Sequence, residues 1–64
     1  MRLIYKETGL PVLLGDVVEE GKAVVISITF PHKPSSTGRV CLEYIDGWVQ
    51  EYFPAVIGAT WEGR

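Results

Sequence analysis

Arg39-Val40-Cys41-Leu42-Glu43-Tyr44-Ile45-Asp46-Gly47-Trp48-Val49-Gln50-Glu51-Tyr52-Phe53 is two runs of strand-forming residues joined at Asp46-Gly47. An Asp-Gly pair between alternating runs is a strong short hairpin signal and favours a two-residue type I′ turn. That turn opposes Ile45 to Trp48, Tyr44 to Val49, Leu42 to Glu51 and Val40 to Phe53. One face then carries Val40, Leu42, Tyr44, Val49 and Phe53, interrupted only by Glu51, and is the expected core face. The reverse face carries Cys41, Ile45, Trp48 and Tyr52 among Glu43 and Gln50.

Working back from this hairpin, Ala23 to Phe30 alternates strictly, with Val24, Ile26, Ile28 and Phe30 on one face. A period of two marks a half-buried strand. Pro31 ends it, and residues 31–38 form a polar loop with two prolines and a closing Gly38. Arg2 to Lys6 reads as a short strand, and Glu7-Thr8-Gly9 as a turn. Pro11 limits Leu10 to Leu14 to an edge or irregular segment. Asp16 followed by Glu19 has the spacing of a capping box, enough for one helical turn, although Val17, Val18 and Gly21 oppose anything longer. Downstream, Pro54 suits the first position of a 3-10 turn and Gly58 its exit. Ala59 to Glu62 is a last short strand with Trp61 packing inward.

The chain of 64 residues is expected to form one domain, residues 1–64. Its 47% hydrophobic and 22% charged residues argue against disorder. Cys41 is the only cysteine and His32 the only histidine, which leaves no disulfide within the chain and too few soft ligands for zinc. No cofactor is expected. The net charge of -2 is a poor match for binding a phosphate backbone. The absence of an apolar signal-like segment, of any long apolar run and of asparagine leads to the expectation of a cytoplasmic protein without membrane association.

Five short strands, a long polar loop after the second, a tight hairpin between the third and fourth and a 3-10 turn before the fifth resemble a small SH3-like barrel. Gly15-Asp16-Val17-Val18, Pro31 to Gly38, Asp46-Gly47 and Phe53-Pro54-Ala55 carry the likeness. The polyproline site of peptide-binding SH3 domains does not transfer, because Arg39-Val40-Cys41 follows the loop where those domains place a Trp. The chain is also similar to small proteins of tailed bacteriophages and prophages at Tyr5-Lys6-Glu7-Thr8-Gly9, Ser36-Thr37-Gly38-Arg39-Val40 and Tyr52-Phe53-Pro54-Ala55-Val56-Ile57-Gly58. That resemblance implies an accessory role in an infected bacterial cell.

Catalysis is not expected. His32 beside Ser35, Ser36 and Thr37 lacks an orienting acid and an oxyanion hole, so a solvated loop is the better reading. Pro31-His32-Lys33-Pro34 matches PxxP, but two prolines also simply stiffen a loop. Asp16, Glu19 and Glu20 lack calcium-loop spacing, and Cys41 reads as a packed small residue. Trp48, Tyr52 and Ile45 form the candidate interaction patch, with burial under the N-terminal segment as the equal alternative. His32, Lys33 and Arg39 are candidate loop contacts. The expected function is a protein–protein interaction module, with self-association as one form. The alternative is a nucleic-acid-binding accessory protein using Lys22, Lys33 and Arg39 with Trp48 and Tyr52.

Overall fold

The computed structural model describes residues 2–33 and 36–63. Six strands form, in the order β1 (Arg2–Tyr5), β2 (Val17–Val18), β3 (Ala23–Thr29), β4 (Arg39–Tyr44), β5 (Val49–Tyr52) and β6 (Ala59–Glu62), with a 3-10 turn at Pro54–Ile57 before the last. The first and last strands pair as a two-stranded ribbon, and β2-β3-β4-β5 form an antiparallel meander. The expected five strands become six through β2, and the two sheets do not close into one barrel.

The capping-box reading of Asp16 is corrected here. Val17 and Val18 pair in an extended conformation with Val24 and Ala23, as β-branched residues prefer. Asp16 caps backwards instead, its Oδ2 accepting from Leu13 N–H at 3.0 Å. Glu19 and Glu20 then take positive φ, 55° and 59°, in a left-handed turn into β3.

The register of the central hairpin is also corrected. Val40 pairs with Tyr52, Cys41 with Glu51, Leu42 with Gln50 and Glu43 with Val49. The turn has three residues. Gly47 N–H donates to Tyr44 O at 2.8 Å, and Tyr44 N–H donates to Trp48 O at 2.8 Å. Only Gly47, at φ 92°, is left-handed, so Asp46 escapes the steric cost a type I′ turn imposes on it. Its Oδ1 accepts from Trp48 N–H at 3.0 Å instead. This is a turn closed by a glycine bulge, the next most common hairpin solution. The one-residue shift reverses every side chain of β5. Tyr52 therefore faces inward with Val40 and Leu42, while Val49 and Phe53 face outward, 49% and 57% exposed.

A bulge at Ile26 breaks the alternation of β3, whose pairing slips between Val25 and Ser27. Ala23 and Val25 point inward before it and Ile28 after it, so the single face proposed for Val24, Ile26, Ile28 and Phe30 is split. The buried core is Leu3, Val12, Val18, Ala23, Val25, Val40, Leu42 and Ala59. None is aromatic. Tyr5, Tyr44, Tyr52 and Trp61 ring it, half-buried.

Two predicted segments form as expected. Phe53 precedes the 3-10 turn, Pro54 opens it and Gly58 closes it at φ 71°. Pro11 supports only an isolated bridge to Ile4. Beside it, Val12 N–H donates to Leu3 O at 2.9 Å, which brings the Val12 side chain into the core.

Candidate interaction surface

The tips of the two hairpins lie side by side at one end of the meander. Ile45 N–H donates to Lys22 O at 3.0 Å, and the Tyr44 hydroxyl donates to Glu19 Oε2 at 3.3 Å. Glu19, Glu20, Lys22 and Tyr44 line a hollow of about 380 Å³ there. Ile45 is 83% exposed and Trp48 59% exposed, so the N-terminal segment does not bury them. Tyr52 leaves this patch. It is half-buried on the core side, its ring edge-on to Tyr44 at 6.2 Å. The candidate trio is thus two exposed residues at the tip and a third that shares the inner face with Tyr44.

The proposed basic-aromatic patch does not assemble. Lys22 adjoins Tyr44, whereas Arg39 begins the same strand, about 17 Å away at the usual rise of a strand. The Arg39 guanidinium is already engaged. It lies 4.3 Å from the centre of the Phe53 ring, a cation–π contact, and Nη1 donates to Gly38 O at 2.8 Å. His32 and Lys33 are exposed. Ser36 Oγ accepts from Gly38 N–H at 3.2 Å, which commits that hydroxyl to shaping the loop. Ser35 and Pro34, and with them the full PxxP reading, lie outside the described residues. Cys41 is a half-buried free thiol on the outer face, paired between Ser27 and Glu51.

Two grooves flank the 3-10 turn. The larger, about 610 Å³, is lined by Leu10, Pro11, Leu13 and Ile57 with Tyr5 and Asp16 at its polar side. The Tyr5 hydroxyl donates to Asp16 Oδ2 at 2.8 Å. Burial, this hydrogen bond and the carboxylate's charge push the Tyr5 phenol up to about 12. The Tyr44 phenol is likewise pushed up to about 12, first by the neighbouring Tyr52 hydroxyl, then by burial and by the Glu19 carboxylate that accepts its hydrogen bond. Both tyrosines are therefore neutral donors at ordinary pH. The second groove, about 410 Å³, runs between Phe53, Pro54 and Trp61 with Lys6 at its rim.

The exposed apolar run leading into β2 was missed as a surface. Leu10, Leu13, Leu14 and Val17 are 62%, 59%, 63% and 65% exposed. The signal was present: four apolar residues, Leu10, Val12, Leu13 and Leu14, around Pro11, of which only Val12 is buried. Among the described residues, no three His, Cys, Asp or Glu side chains gather as metal ligands, and no helix is long and apolar enough to cross a membrane.

No protein-family model, curated protein or solved structure matches the chain.

Proposed function

We propose that this chain is a protein-interaction module on a small SH3-like scaffold, of the kind tailed bacteriophages and prophages encode, acting in the cytoplasm of the bacterial host. One observation carries the reading. Leu13, Leu14, Val17, Ile45 and Trp48 are each 59% exposed or more, while among the described residues the fully buried large side chains are Leu42, Val25 and Val40. Scattered exposed leucines are ordinary. Apolar side chains crowded onto one loop and one hairpin tip of so small a domain instead point to a protein partner.

The scaffold reading is supported by pairing of the first strand with the last, by the four-stranded meander and by the 3-10 turn that leads into β6. The engagement of Arg39 and its separation from Lys22 weigh against a nucleic-acid track, which needs clustered free cations.

The test is affinity capture from bacterial lysate with and without nuclease, comparing the native chain with a Leu13→Ser/Leu14→Ser variant that keeps its fold by circular dichroism. A stoichiometric protein that survives nuclease and is lost with the variant is the expected result. Recovery that collapses with nuclease for both chains overturns the reading in favour of nucleic acid.

A further inference from the structure

The four-stranded sheet ends on β5, and no strand among the described residues pairs with its outer edge. Tyr44 and Trp48 are a hydrogen-bonded pair, since Tyr44 N–H donates to Trp48 O. Bonded and non-bonded pairs alternate along an antiparallel ladder. Leu42/Gln50 and Val40/Tyr52 are therefore the next bonded pairs. Val49 and Glu51 consequently aim their N–H and C=O groups away from β4. β5 also carries no proline and no bulge, two of the devices that blunt an edge.

The other edges are occupied or too short. Pro11, Leu10 and Val12 run along β1. Thr37 and Gly38 lie against Trp61 of β6, whose Nε1 donates to Thr37 O at 2.6 Å. On β2, only Val17 turns its backbone outward, because Asp16 O accepts from Val25 N–H and Val18 pairs with Ala23.

We propose that a second copy of this chain pairs antiparallel along β5, with Gln50 on the twofold axis. This deepens the interaction-module reading and rests on it. The partner follows from self-complementarity. Centring on Gln50 sets Val49 opposite the partner's Glu51 and Glu51 opposite the partner's Val49. All the outward N–H and C=O groups of both residues are then satisfied on each chain. Centring on Glu51 would oppose two carboxylates, which is destabilising. Centring on Val49 would run Glu51 into the partner's turn. The chosen register also sets exposed Trp48 beside the partner's Tyr52 on the inner face, next to Tyr44. The aromatic residues of the candidate patch come together only when both copies are present. The paired strands have four residues each, so the interface falls at the small, transient end of protein contacts.

The experiment is sedimentation velocity over a concentration series reaching about 1 mM, the range a contact of this size requires. A monomer–dimer equilibrium is expected. Val49 is 49% exposed, so its substitution leaves the core intact. Val49→Lys puts a cation opposite each partner Glu51 and is expected to tighten the dimer about tenfold, whereas Val49→Glu loosens it about tenfold, with two such pairs per dimer. Gln50→Cys in a Cys41→Ser background is expected to form a disulfide between copies on oxidation, because opposed non-bonded residues lie about 4.5 Å apart at Cα, within disulfide reach. A chain that stays monomeric throughout overturns the pairing, as do Val49 variants that shift association in the same direction. If that monomer still captures a nuclease-resistant protein, the pairing is wrong and the interaction-module reading stands.

Discussion

The Tyr5 hydroxyl donates to Asp16 Oδ2 at 2.8 Å, and the same oxygen accepts from Leu13 N–H at 3.0 Å. One carboxylate oxygen thus ties the end of β1 to the turn that leads into β2. Asp16→Ala leaves a half-buried phenol and a backbone amide without their acceptor. It should destabilise the fold by about 2 kcal/mol, and Tyr5→Phe by about 1 kcal/mol. Urea denaturation of the two variants and their double mutant measures this. Independent, additive losses would mean that the two groups do not act together.

Alkali should unfold the protein through its tyrosines. The folded-state pKa of Tyr5 and of Tyr44 is raised from 10.0 to about 12. The unfolded chain therefore releases these protons at lower pH than the folded chain, and stability falls with pH where the folded state holds more protons. The stabilisation is fully present below pH 10 and is lost between about pH 10 and 12. Ultraviolet absorbance of the phenolates should show Tyr5 and Tyr44 titrating late. Tyr5→Phe should flatten part of the decline in stability over that window.

Gly38 admits no side chain. A Cβ there would lie 2.4 Å from Thr29 O and 2.8 Å from the Trp61 ring, and its φ of 67° is left-handed. Gly38→Ala combines backbone strain with overpacking and should cost about 3 kcal/mol. Thermal melting followed at Trp61 checks it, because the same displacement disturbs the contact of Trp61 with Phe30, at 5.0 Å between ring centres.

The left-handed turn at Glu19-Glu20 stores strain that glycine would release. Glu20, at φ 59°, forms none of the side-chain bonds found among the described residues. Glu20→Gly should stabilise by about 1 kcal/mol, the usual cost of that conformation for a residue with a Cβ. Glu19→Gly should gain less, because the Tyr44 hydroxyl loses its acceptor. Chemical denaturation of the pair gives the comparison, and equal gains would mean that the Tyr44 contact contributes nothing.

Trp48 and Tyr52 should separate function from stability. Trp48 is 59% exposed whereas Tyr52 packs against the core. Trp48→Ala should cost under about 1 kcal/mol of stability while weakening association. Tyr52→Ala should cost about 2–3 kcal/mol through lost packing. Equal losses on melting would place Trp48 in the core after all.

The legible parts of this chain were those decided within a few residues. Pro54 and Gly58 bracketed the 3-10 turn, Pro31 stopped the longest strand, and Ala59 to Glu62 was a strand before any partner was known. The face of each strand was harder. A bulge at Ile26 leaves no mark in an unbroken alternation, since every residue around it is compatible with a strand. Asp16 followed by Glu19 satisfied a helical spacing, yet the carboxylate found a better partner in Tyr5, eleven residues away.

Alternation, prolines and turn residues by themselves determined that this protein is built of short antiparallel strands, because backbone preference and side-chain period act over neighbouring positions. The tertiary structure decided which of those side chains are inside. Asp46-Gly47 can close either a two- or a three-residue turn, and the two differ little in local energy. The choice settles whether Tyr52 or Phe53 lies beside Val40 and Leu42. With a side-chain period of two, that single residue of register turned Val49 and Phe53 outward, brought Tyr52 to the core and aimed the backbone of Val49 and Glu51 at the open edge.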